Sequence, residues 1–225
     1  MEPAYLVPLW FLGYDVAFEA AFAIIALLVS FYAFKVHRIS GQTQPRLFAW
    51  SFLFISASYF VQSVLNLIVV SELNESIHEA LGWSDASWLN DVGMYLHILL
   101  FITGLVTLTY MTLNVRSRKT YSLILVLVLL TLFVSMNRLL IFYVISSVLL
   151  IYVLLHYAAN FWYNRQAKTL LVLAAFALIL FGSIHFTLSV NHSLYYVIGH
   201  FLGLIAYLLI LLNLILVVKH EQKEG

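Results

Sequence analysis

The sequence contains no cysteine, which excludes disulfides, thiolate metal ligands and cysteine nucleophiles together. Charge is scarce: Asp, Glu, Lys and Arg make up 9% of the 225 residues, against about 25% in a soluble domain. Proline occurs only as Pro3, Pro8 and Pro45, never inside a long apolar run. The broken helices from which many transporters build a midplane site are therefore not expected. Lysine is also missing from the apolar interiors, since Lys35, Lys119, Lys168, Lys219 and Lys223 all lie at or beyond run ends. A retinal Schiff base consequently has no anchor. The start, Met1-Glu2-Pro3, lacks a basic n-region, so the first apolar run reads as a span and not as a cleaved signal peptide. A net charge of +1 gives no reason to expect nucleic acid as a partner.

What is present is hydrocarbon. Hydrophobic residues make up 64% and mean hydropathy is +1.00, the composition of an integral membrane protein whose main partner is the lipid bilayer. Seven runs are long enough to span, near 9–35, 47–70, 88–112, 120–136, 139–162, 168–190 and 194–218. The expected fold is an all-α, polytopic bundle of seven transmembrane helices forming a single domain over 1–225. Run four, uniformly aliphatic from Leu123 to Leu132, reads as a lipid-facing or packing helix.

Basic residues orient the bundle. Lys35, Arg38, Arg46, Arg116, Arg118, Lys119, Arg165, Lys168, Lys219 and Lys223 occupy alternate connections on one side, ten of the 11 Lys and Arg. Arg138 stands alone on the other side, with Glu72, Glu75, Glu79 and Asp85. The expectation is an outside N-terminus and a cytoplasmic C-terminus. Short loops suggest the plasma membrane of a prokaryote. Trp10, Trp50, Trp83, Trp88 and Trp162 fall at run ends, as interfacial belts require. In the long acidic connection, Leu73, Ile77 and Leu81 are spaced for a short helix lying on the outer surface.

The last run carries the most telling face. Tyr196, His200, Gly203 and Tyr207 follow at steps of 4, 3 and 4, so they line one side of a helix. Gly199 and Gly203 flank the histidine at GxxxG spacing, which admits close approach. We read this face as a wall of an intramembrane site. Histidine is costly in a bilayer, and four lie within runs: His97, His156, His185 and His200. Counted at 1.5 Å per residue, His97 lies about 13 Å from the outer end, His200 about 9 Å and His185 about 7 Å. His156 is about 9 Å from the opposite end and reads as hydrogen-bonded to Asn160.

Neighbouring stripes agree with a shared interior. Asn90, Met94, His97, Phe101 and Gly104 line up on the third run, and Ala174, Ala175, Gly182, His185 and Ser189 on the sixth. Small residues beside histidines leave room for a flat group, and close helix packing would use the same residue types. Other buried polar candidates are Asp15 with Glu19, Gln62 with Asn66, and Asp91 with Tyr95. Interhelical hydrogen bonds account for such residues in general. Glu19 is so deep that it must be protonated or paired.

Three chemistries suit this set. The first is haem b, with His97 and His200 as axial ligands, Gly104, Gly182, Gly199 and Gly203 giving the macrocycle room, and His185 close by. Arg138 would neutralise a propionate. Such a cytochrome b-like bundle would serve electron transport or redox or gas sensing with a partner protein. The second is zinc held by His97, His185 and His200 with a carboxylate, an arrangement suited to hydrolysis. The seven-run size resembles the intramembrane hydrolases related to alkaline ceramidases and the adiponectin-receptor group. Their Ser-xxx-His and His-xxx-His motifs are absent, since run two has no histidine and Tyr196 and Leu204 flank His200 at four residues. The third is a metal-free module sensing a ligand or pH, given an imidazole value ordinarily near about 6.5.

Gly199-His200-Phe201-Leu202-Gly203-Leu204-Ile205-Ala206-Tyr207 resembles the Gly-His-…-Ala/Gly-Tyr ending of multi-helix sensor domains that precede bacterial and archaeal histidine kinases and cyclases. The resemblance covers about nine residues and implies signal perception through the membrane. No kinase, cyclase or coiled-coil segment follows before Gly225. Output is therefore expected through a signalling partner or by electron movement.

Overall fold

The computed structural model describes residues 8–11, 13–72, 86–113, 115 and 117–224. A 3-10 turn, Leu9–Phe11, precedes seven α-helices. These are α1 Tyr14–Ser40, α2 Thr43–Glu72, α3 Ala86–Leu113, α4 Arg118–Val134, α5 Arg138–Asn164, α6 Ala167–Leu188 and α7 Leu194–Glu224. There is no strand among the described residues. Six helices, all but α4, are long and apolar enough to cross a membrane. The chain is an all-helical, multi-pass membrane protein. The surface helix expected around Leu73, Ile77 and Leu81 lies outside the described residues.

Local chemistry sets the helix ends. Gly41 ends α1 in the left-handed conformation at φ 67°, and its N–H donates to the His37 carbonyl over 2.8 Å. Pro45 falls in the first turn of α2, where a missing N–H costs nothing. Ser117 caps α4 by accepting from the Thr120 N–H, and Asn137 caps α5 by accepting from the Leu140 N–H. The 17 residues of α4 reach only about 25 Å at 1.5 Å per residue, short of the roughly 30 Å hydrocarbon core.

Six helices close a ring. In order of contact the ring runs α1, α2, α3, α5, α6, α7 and back to α1. Outside it, α4 lies against α3 and α5, with Leu132 its one buried residue and Leu123, Val126, Leu127 and Leu130 exposed. The expectation for the fourth run was a lipid-facing or packing helix, and α4 has both features.

Serine and glycine bring the ring helices together. Ser30, Ser56 and Ser63 donate to the carbonyls of Ala49, Ala23 and Val16, tying α1 to α2. A Cβ on Gly104 would stand 2.7 Å from Ile55 Cγ1 and 2.8 Å from the Ser51 carbonyl, so α3 meets α2 where only a hydrogen fits. Toward the end at which α1 finishes, the interior is mainly apolar, filled by Val29 and Ala33 with Phe52, Leu105, Leu108 and Val153, and it also buries Ser51, Thr109, Thr112 and Asn213. Toward the end at which α1 begins, the filling changes to rings and polar groups.

Candidate functional site

A cavity of about 70 Å³ lies inside the ring. It has room for about five waters, at roughly 10–15 Å³ for each water centre. All six ring helices line it and α4 does not. Its polar groups are Glu19 from α1, Tyr59 and Gln62 from α2, His97 from α3, Tyr143 and Ser146 from α5, Ser183 from α6, and Tyr196, His200 and Tyr207 from α7. The α7 face read from the sequence lines the cavity throughout: Tyr196, Gly199, His200, Gly203 and Tyr207 all face it.

Both cavity histidines are held the same way. His97 Nδ1 donates to the Ser58 carbonyl at 3.0 Å and lies 2.8 Å from Ser58 Oγ, which donates to the His97 carbonyl at 2.9 Å. His200 Nδ1 donates to the Tyr196 carbonyl at 2.9 Å. A proton on Nδ1 leaves Nε2 of the neutral ring as an acceptor. Each imidazole is packed among rings, His97 against Phe101 and Phe142, His200 against Phe186 and Tyr196. Ring contacts connect the two through Tyr59 and Phe22, with centroids 6.3 Å apart for His97–Tyr59, 5.0 Å for Tyr59–Phe22 and 5.9 Å for Phe22–His200. The Tyr207 hydroxyl donates to that of Tyr59 at 3.3 Å.

Glu19 is buried and paired. Asn66 Nδ2 donates to both of its carboxyl oxygens, at 2.9 and 2.8 Å, and Gln62 Nε2 donates to Asn66 Oδ1 at 3.3 Å. Thus Glu19 of the polar pair on run one and both members of the pair on run two form one chain of bonds, with an amide in place of a cation. Asp15 is buried but lies outside the cavity lining. Its Oδ1 accepts from the N–H groups of Gly13 and Val16, both at 2.9 Å, and so fixes the turn ahead of α1. That turn, with Gly13 at φ 90°, carries Phe11 onto His200 at a centroid distance of 5.5 Å.

Several residues singled out in the sequence lie elsewhere. His185 is outside the cavity lining, with its ring on Tyr195 and Nδ1 donating to the Phe181 carbonyl. On α6 the lining is Ile179, Gly182, Ser183 and Phe186. Asp91 is exposed. Tyr95 stacks on Phe133 of α4, and the Arg138 guanidinium lies 4.8 Å over its ring. Gly104 serves the α2–α3 contact. Asn160 accepts from Asn164 at 2.6 Å, where a bond to His156 was expected. Among the described residues, no three His, Asp or Glu side chains stand together to hold a metal ion.

The sequence reading missed Ser58, Tyr59, Ser146 and Ser183. Ser58 had a signal: with Gln62 and Asn66 it forms an i, i+4, i+8 polar row on α2. Ser146 had none. It is 1% exposed, lines the cavity, and its hydroxyl has no hydrogen-bond partner.

A scan against protein-family models and searches of curated proteins and of solved structures found no match.

Proposed function

We propose that this protein is a membrane-embedded sensing module that binds a small ligand in the central cavity without a resident metal. The observation that carries the reading is the unpartnered Ser146 hydroxyl facing the same space as two imidazoles. A buried polar atom left unbonded costs about 1–3 kcal/mol, and a bound molecule would remove that cost. Helix α7 supplies the transmission route. Its 31 residues extend about 46 Å at 1.5 Å per residue, beyond a hydrocarbon core of about 30 Å. One continuous helix thus joins the wall of the cavity to water on the far side. By the placement of Lys and Arg, that side is the cytoplasm, where a signalling partner would meet it.

Thermal unfolding of the detergent-purified chain tests binding. Amines, alcohols and carboxylates of up to about four heavy atoms, the size a cavity of this kind admits, form the panel. At least one should raise the midpoint in the wild type and not in His200→Ala. A panel with no effect on the wild type refutes the reading. Hydrogen exchange along the last turns of α7 tests transmission: protection that ignores the bound ligand leaves a binder and removes the sensor.

A b-type haem on His97 and His200 is the second reading, because Nδ1 tethering with Nε2 left free is how ligating histidines are oriented. The space is against it. Phe186 lies within 2.8 Å of where a Gly199 Cβ would stand, and Phe22 within 3.3 Å for Gly203, so rings occupy the glycine recesses a macrocycle would use. Arg138, the intended propionate partner, lies over Tyr95. Absorption spectra of oxidised and dithionite-reduced protein, expressed with added haem, decide between the two. A Soret band lost in His97→Ala and in His200→Ala but kept in His185→Ala would establish haem and displace the metal-free reading.

A further inference from the structure

The cavity lining is acidic in composition. None of its lining residues is lysine or arginine, while Glu19 supplies a carboxyl group. The Asn66 amide makes one bond to each oxygen of that group, which leaves about two of its roughly four acceptor sites free. Both histidines present acceptor nitrogens. The remaining wall is largely aromatic, with Phe22, Tyr59, Phe142, Phe186 and Tyr207 among the lining rings, and ring faces carry the negative part of the quadrupole. Beside its hydroxyl groups and the Gln62 amide, the wall offers a carboxyl group, imidazole acceptors and aromatic rings, a set that suits a compact cation donating several hydrogen bonds. An anion would meet no countercharge, and a bulky quaternary ammonium would leave the acceptor nitrogens unbonded.

We propose that the ligand is a small protonated primary amine, its ammonium group donating to Glu19 and to one imidazole Nε2, and its carbon end packed on the rings. The Ser146 hydroxyl, otherwise unpartnered, adds a further acceptor. The inference rests on the reading of the cavity as a ligand site, and it specifies what that site selects. Ammonium itself shares the head-group chemistry, and only an alkylamine would also use the rings.

Calorimetric titration of the purified full chain with ethylammonium chloride, ethanol, sodium acetate and ammonium chloride at constant ionic strength tests it. Ethylammonium should bind at least about tenfold more tightly than ethanol, a difference of about 1.4 kcal/mol, and acetate should not bind. Ammonium binding more weakly than ethylammonium identifies the alkylamine, and equal binding identifies the ammonium ion. Glu19→Gln should weaken ethylammonium about tenfold and leave ethanol unchanged. Ethanol or acetate binding as well as ethylammonium overturns the amine assignment while keeping the cavity as a ligand site. If no compound binds, both readings fail. The wild-type series alone separates these outcomes should Glu19→Gln not fold.

Discussion

Ser58 and His97 hold each other across the α2–α3 contact, the imidazole donating to the serine carbonyl while the serine hydroxyl donates to the histidine carbonyl. The backbone of one helix therefore orients the functional nitrogen of the next. Ser58→Ala removes the hydroxyl but keeps its carbonyl. It should cost about 1 kcal/mol of stability, as expected for one hydrogen bond, and leave His97 with a single restraint. Unfolding in mixed detergent micelles measures the first effect. Imidazole ¹⁵N shifts should show the proton still on Nδ1, because the carbonyl that holds it remains; a changed tautomer, or unchanged stability, would contradict this account.

Glycines 104 and 203 resemble each other in sequence but differ in what surrounds them. A methyl at 104 meets the Ser51 carbonyl at 2.8 Å and Ile55 Cγ1 at 2.7 Å, whereas at 203 it meets the edge of Phe22 at 3.3 Å. Backbone cannot yield as a ring can, so Gly104→Ala should destabilise by about 2–3 kcal/mol, the upper part of the range for overpacking. Gly203→Ala should be milder, and because Phe22 would move toward the cavity it should impair ligand binding more than stability. Paired measurements of unfolding and of binding check the contrast, and a larger stability loss at 203 would reverse the argument.

Much of this architecture was legible in the sequence because bilayers impose long uninterrupted apolar runs. All seven helices fall where those runs lie, and the α7 face carrying Tyr196, His200 and Tyr207 was visible as steps of three and four. His185 illustrates where the reading ran out. Small residues Ala174, Ala175 and Gly182 suggested an inward stripe through it, but small residues also mark helix contacts. Of that stripe Gly182 does line the cavity, but its neighbours there are Ile179, Ser183 and Phe186, and Ala174, Ala175 and His185 lie outside the lining. Depth along a helix follows from counting residues, whereas rotation about its axis depends on neighbours that one sequence does not identify. For the same reason Asp91 and Tyr95, correctly placed on a shared face, turn out not to line the cavity.

Ser146 offers a test in which stability and function move apart. Its hydroxyl bonds to no other protein group, so Ser146→Ala should leave stability unchanged or raise it by up to about 1 kcal/mol, the reverse of the usual loss on truncating a bonded serine. The same change should weaken ligand binding several-fold, the pattern expected where a destabilising group is kept for function. A variant that loses stability and still binds normally would mean that Ser146 has a packing role only.

Phe11 gives the last test. The Gly13–Val16 turn, fixed by Asp15, places this ring over His200 and against Tyr196 and Phe18, at the end of the bundle where α1 begins. The aromatic cover lies in the short turn ahead of α1, outside the cavity lining. Phe11→Ala should therefore speed ligand entry and exit together, changing both rate constants several-fold while the dissociation constant moves less. Stopped-flow mixing with the best ligand from the thermal panel measures both rates. If the affinity falls with an unchanged entry rate, Phe11 is part of the binding wall and does not act as a gate.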